Sequence, residues 1–164
     1  MNMATWPTTA LSQDHQVVLS KLLELEQAVA ARSEGEPDAQ VEGVIRGIAG
    51  FLQSEIPPHF DREEKLLFPP LAALGMQWTG LLAVILAEHE GLHELRAKLM
   101  DAIANADREP GGWDEVRRRA DDFVIDLRRH INKEDTLIFP MAEKDLGSER
   151  LAQIAAEMHH DPQA

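Results

Sequence analysis

The sequence predicts an all-α protein, an up-down-up-down four-helix bundle with a short C-terminal fifth helix. Apolar residues recur at helical spacing in four long segments, short clusters of Pro, Gly and Ser separate those segments, and no stretch alternates like a strand. The 164 residues suit one domain, with a core over about 10–143 and a C-terminal helix and tail over 144–164.

The first helix is expected from about Thr9 to Ala31, where Leu11, Val18, Leu22, Leu25 and Val29 form a stripe. SEGEP at 33–37 ends it. The second starts near Asp38, a suitable N-cap after Pro37, and presents Val41, Val44, Ile45, Ile48, Phe51 and Leu52. Pro57 and Pro58 remove two backbone donors and predict a kink or restart just before His59. Pro69 and Pro70 predict an end near Phe68. The third helix spans about Trp78–Ala106, REPGG at 108–112 is a loop, and the fourth spans about Trp113–Phe139. Ser148 is placed to cap the fifth, and His159 and His160 fall in a fraying tail.

Composition narrows the function. A net charge of −13 repels phosphate backbones and anionic lipid, so neither nucleic acid nor a membrane surface is an expected partner. Cysteine is absent, which removes disulfides, thiolate nucleophiles and iron–sulfur ligation and fits a cytoplasmic protein. Tyrosine is absent too. The N-terminal stretch lacks the basic and apolar regions of a signal peptide. The most apolar window, LLAVILAEHEGLH, is too short to cross a bilayer.

Two eleven-residue stretches share one grammar: HFDREEKLLFP at 59–69 and HINKEDTLIFP at 130–140. A residue four positions on lies about 40° round a helix, on the same face. That relation joins His59 to Glu63, His89 to His93, and His130 to Glu134. The repeat extends further: His15 precedes His59 by 44 residues and His89 precedes His130 by 41, with Asp14 before His15 and Glu88 before His89. Two helical hairpins of one plan thus each supply a His and then His-x3-Glu. Five imidazoles and two carboxylates without partners in a bundle core would cost about 1–3 kcal/mol each. A metal centre removes that cost, because it needs neutral imidazole and ionised carboxylate together. The metal ligands expected are His15, His59, Glu63, His89, His93, His130 and Glu134. Glu55 and Asp126, each four residues before a histidine, are better read as solvated acids than as supports for it, and Glu64 is read as solvated too. Met76, Met100 and Met141 are expected in the core. Leu19, Leu22, Ile85, Leu86, Phe123 and Leu127 are expected to wall the site or to pack the core.

These residues, with the two Phe-Pro endings Phe68-Pro69 and Phe139-Pro140, resemble the hemerythrin-like family and its HHE cation-binding domains. The resemblance covers about residues 10–143. It implies two non-haem iron ions (Fe2+/Fe3+) joined by two carboxylates and an oxo or hydroxo bridge. It assigns His89, His93 and His130 to one iron and His15 and His59 to the other. One position is then left for a small ligand: O2, NO or peroxide. One branch of the family would select Asp135 in place of Glu134; helical periodicity and the parallel with Glu63 favour Glu134. Zinc, which prefers closed tetrahedra, suits this ligand set less well than iron or manganese. The expected function is binding of O2 or a related ligand as carrier, store or sensor. Turnover of NO or peroxide, or donation of iron for repair of damaged iron centres, is the alternative, and a metal-controlled interaction module ranks last.

Overall fold

The computed structural model describes residues 6–34, 36–108 and 110–160, the side chain of His160 excepted. Gly35 of the SEGEP breaker, Glu109 of the REPGG loop, the first five residues, residues 161–164 of the expected tail and the side chain of His160 lie outside the described residues. The fold is an all-helical bundle of four long helices with a further C-terminal helix, and no strand occurs among the described residues. The helices are α1 (Pro7–Glu34), α2 (Ala39–Arg62), α3 (Phe68–Ala72), α4 (Met76–Asn105), α5 (Gly112–Lys133) and α6 (Phe139–His160). Two π-helical segments, Glu63–Leu67 and Glu134–Ile138, join α2 to α3 and α5 to α6.

The prolines act differently from expectation. Helix α2 remains α-helical through Pro57 and Pro58. The carbonyls that lose a donor belong to Gln53 and Ser54, both exposed, where water can replace the missing bonds. The interruption comes later, at Glu63. There the N–H of Phe68 donates to the carbonyl of Glu63, five residues back, and the N–H of Phe139 donates likewise to Glu134. Each π segment is therefore one copy of the repeated stretch. The chain also does not stop at Phe68: Pro69 and Pro70 fall in the first turn of α3, where no backbone donor is needed, and the helix runs on to Ala72.

Helix α6 contains the predicted boundary of the fifth helix. Gly147 has φ 72° and ψ 166°, a region open essentially to glycine, so the chain turns there and resumes as helix from Ser148.

The chain forms two compact units. The first comprises residues 1–16, 56–89 and 130–164. Its core includes Leu11, Leu67, Phe68, Trp78, Ile85, Ile138, Phe139 and Ile154, all buried. Trp78 Nε1 donates to Asp145 Oδ2 at 3.0 Å and Thr8 Oγ1 to Glu143 Oε1 at 2.6 Å, which satisfies the polar atoms at this core's margin. Ile154 brings the fifth helix into the same cluster. The second unit comprises residues 17–55 and 90–129. It buries Leu22, Leu25, Ile45, Leu52, Leu99, Val116 and Phe123. Trp113 carries the Arg32 guanidinium over its ring at 4.8 Å, and Arg128 forks onto Glu26 at 2.7 and 2.6 Å. Gly112 is required here, since a Cβ would lie 2.1 Å from the Ala106 carbonyl oxygen.

Three apolar expectations fail. Met76 is 91 % exposed, at the start of α4 where no neighbouring element covers its side of the turn. Val44 and Leu86 are also exposed, because each lies at the edge of its helix's apolar stripe.

Candidate metal centre

Helices α1, α2, α4 and α5 supply His15, His59, His89 and His130, and the two π segments open on Glu63 and Glu134. All six side chains are buried, and all six belong to the first unit. The four Nε2 atoms face inward in pairs, His15 to His59 at 3.0 Å and His89 to His130 at 3.1 Å. Glu63 lies between the pairs, with Oε1 3.3 Å from His59 Nε2 and Oε2 3.4 Å from His89 Nε2. Glu134 mirrors it: Oε1 is 3.2 Å from His130 Nε2 and 3.7 Å from His89 Nε2, and Oε2 is 3.3 Å from His15 Nε2. The donors fall into two overlapping groups, His15, His59, Glu63 and Glu134, and Glu63, His89, His130 and Glu134, each with its ligand atoms within 4.8 Å of one another. The two glutamates are common to both.

Behind each imidazole stands a second carboxylate. Asp135 Oδ1 lies 2.8 Å from His15 Nδ1, Asp14 Oδ2 3.4 Å from His59 Nδ1, Glu64 Oε1 2.6 Å from His89 Nδ1, and Glu88 Oε2 3.0 Å from His130 Nδ1. Carboxylates only accept, so each Nδ1 carries a proton and each Nε2 keeps the face turned inward. Glu64 is therefore not simply solvated: its helix places it one residue past Glu63, where it reaches His89. Asp135 stands outside the imidazoles and Glu134 inside them. The sequence carried the signal for all four outer acids. Each half of the repeat has an acid directly before its first histidine and directly after its glutamate. Glu55 and Asp126 are exposed, as expected.

The electrostatics call for added positive charge. Burial raises a carboxyl and lowers an imidazole, yet the facing charges overcome it here. Against burial and against the repulsion of Glu134, the His59 imidazole holds Glu63 below the usual carboxylate range. Against burial, His130, His15 and His89 hold Glu134 well below it. In return, and also against burial, His15 is raised, His59 is raised to about 9 by Glu63 and Asp14, and His89 to about 10 by Glu134, Glu63 and Glu64. In the metal-free protein, the raised His15, His59 and His89 offset part of the carboxylates' negative charge. The offset is incomplete, because all four oxygens of Glu63 and Glu134 are buried without a hydrogen bond of acceptable geometry. Orphaned anionic oxygens and inward imidazole nitrogens, each backed by a carboxylate, are the donor set that divalent metals take in bundle cores. The residues fit two metal ions sharing two carboxylates.

Aromatic rings close the site. Phe60 stacks on His89 with centroids 3.8 Å apart, Phe139 on His15 at 5.6 Å, and Phe68 on His89 at 6.0 Å. The Phe-Pro endings thus place a ring against a site histidine in each half.

His93 is half-buried on α4, and neither donor group includes it. Arg96 Nη2 lies 3.3 Å from its Nδ1. A guanidinium only donates, so this Nδ1 accepts and the ring proton sits on Nε2, opposite to the other four histidines.

Among the described residues, no helix is long and apolar enough to cross a membrane. The model of the hemerythrin HHE cation-binding domain matches residues 7–142 and again residues 80–162. The second match begins within α4, as the internal repeat would have it. Curated relatives named iron-sulfur cluster repair protein YtfE, from Yersinia pseudotuberculosis serotype IB (strain PB1/+) and Yersinia pestis (strain Pestoides F), are each 26 % identical over 145 residues. The alignments cover 86 % of this chain and 65 % of each relative, so the chain spans less than two thirds of their length. With a match over most of its length, the chain belongs to the hemerythrin HHE cation-binding domain family.

Proposed function

We propose that this chain is a non-haem di-iron protein that binds O2 or a related small ligand such as NO or peroxide, as carrier, store or sensor. The observation that carries this reading is the pair of shared, buried glutamates with orphaned oxygens between two pairs of inward imidazoles. We assign His15 and His59 to one metal, His89 and His130 to the other, and Glu63 and Glu134 to both. Iron held by this set would supply binding of a small diatomic ligand or peroxide. His93, the fifth imidazole expected from the sequence, is left out of the assignment because Arg96 holds its proton on Nε2. Each metal then has two imidazoles rather than one having three.

The chain's own groups do the rest. The outer carboxylates hold each imidazole's orientation. Phe60 and Phe68 lie against the His89 ring and Phe139 against the His15 ring, covering part of each. No protein thiol or phenol is present in the chain to carry an electron or a nucleophile.

A second reading has its own support. The name of the YtfE relatives ascribes iron–sulfur cluster repair to those proteins, and donation of iron for such repair fits a site whose metals bind in exchange for protons. The two readings separate experimentally. Iron-loaded protein is exposed to O2 or NO and, separately, to an apo iron–sulfur protein. Reversible, stoichiometric binding without iron loss supports the first. Transfer of iron to the acceptor faster than release to a chelator supports the second. Neither outcome with a fully loaded site overturns both.

A further inference from the structure

The four outer carboxylates are not equivalent. Asp14 also receives Arg62 Nη2 at 2.7 Å, Glu88 receives Lys133 Nζ, and Asp135 receives the Ser12 hydroxyl at 2.7 Å. For Glu64, among the described residues, the hydrogen bond from His89 Nδ1 stands alone. Its side chain is 34 % exposed.

The internal repeat says what is missing. Ser12 stands three residues before His15. Three residues before His89 stands Leu86. Leu86 has no hydroxyl to offer and is 38 % exposed. Together with Glu64, Phe68, Leu82 and Ala83 it lines an open cavity of about 290 Å³. Glu64 is the one charged residue in that lining, and the other walls are almost wholly apolar. The cavity floor meets the metal centre twice, through the Glu64 bond to His89 and through Phe68 stacked on the same ring.

We propose that this cavity binds a small ligand with an apolar body and a hydrogen-bond-donating head, an alkylammonium being the best match. The head takes on Glu64 the place that the Ser12 hydroxyl takes on Asp135. The volume lies at the lower end for small-molecule sites, which suits a short chain. The Glu64 carboxylate and the −13 charge of the chain reject an anionic head. Occupancy is transmitted to the centre. A donor on Glu64 draws charge from its bond to His89, as Lys133 does on Glu88 behind His130, and so lowers the basicity of a histidine assigned to the metal. Binding itself does not depend on the metal; its coupling to the centre rests on the iron reading above.

The test uses iron-loaded full-length protein, titrated by calorimetry and visible absorption with n-hexylammonium, 1-hexanol and hexanoate. Saturable one-to-one binding is expected for the ammonium, weaker binding for the alcohol and none for the carboxylate. Glu64→Gln should reduce the preference for ammonium over alcohol about fivefold. Ala83→Trp, which fills the cavity, should abolish binding of both. Leu86→Ser should shift the absorption in the same direction as hexylammonium and blunt its further effect. Absence of saturable binding, hexanoate binding as tightly as hexylammonium, or a preference unchanged in Glu64→Gln would overturn the proposal. Binding without any spectral response in protein of verified iron content would overturn the coupling. Protein that takes up no iron would fail the iron reading instead, and calorimetry of that protein still decides the cavity.

Discussion

Replacing Glu134 by Gln and Asp135 by Asn, one at a time, separates two neighbouring acids that sequence spacing cannot. Glu134 is fully buried, and its oxygens approach three of the four inward imidazoles. The amide keeps one acceptor oxygen but loses the charge that offsets two cations. Removing one partner of a buried charge pair costs about 3–5 kcal/mol, or roughly two to four orders of magnitude in affinity. Asp135 acts at one remove, through His15 Nδ1, and is 23 % exposed. Loss of such an outer partner lowers metal affinity about 10- to 100-fold. The assay is metal content after dialysis, followed by competition with a chromophoric chelator under anaerobic conditions. Glu134→Gln should lose metal during dialysis, while Asp135→Asn should retain it and yield it earlier to the chelator. Full retention by Glu134→Gln, with loss from Asp135→Asn, would refute the assignment and return the bridging role to Asp135.

Other perturbations test the surrounding account. Metal-stripped protein should lose stability on both sides of neutrality, read as Tm against pH. The raised histidines contribute stability that is complete below their unfolded pKa of about 6.5 and lost as pH rises through about 9 for His59 and about 10 for His89. The depressed Glu63 and Glu134 contribute stability present above the usual value of 4.5 and lost as pH falls below it. Metal-loaded protein should lack the alkaline limb, and an alkaline limb of equal size in both forms would count against metal occupying the imidazoles. Metal uptake near pH 7.5 should release protons, seen as a dependence of calorimetric enthalpy on buffer ionisation; no dependence would mean the imidazoles bind metal already neutral. Gly147→Ala forces a side chain into a glycine-only conformation and should cost about 1–3 kcal/mol. Gly80→Ala, at an exposed position of α4 with open space around it, should gain about 0.5–1 kcal/mol, so equal effects from the two would refute the backbone argument.

The helices were legible because their signal is periodic, and His15, His59, His89 and His130 were legible because each falls on such a period beside an acid. The π segments were not. No propensity marks a five-residue hydrogen bond, although the repeated Glu-x3-Leu/Ile-Phe-Pro is, in retrospect, its trace. Spacing along one helix also cannot say which acid serves a histidine on another. Asp14 backs His59 and Glu64 backs His89, contacts made across helices, so Glu64 read as solvated. His93 stands at the four-residue step of a ligand pair from His89, and its Nδ1 lies 3.3 Å from Arg96 Nη2 one turn on; spacing alone does not decide between the two roles. Pro57 and Pro58 do not make the helix restart, because their cost depends on whether water reaches Gln53 and Ser54, which local sequence does not specify.

Iron stoichiometry tests the central claim most directly. Protein loaded anaerobically with Fe2+, freed of loosely bound metal and analysed for iron should hold about two ions per chain, with both lost in Glu63→Gln and full occupancy kept in His93→Ala. One ion per chain, retention of both in Glu63→Gln, or loss in His93→Ala comparable to that in His89→Ala would contradict a centre built on two shared glutamates and four imidazoles.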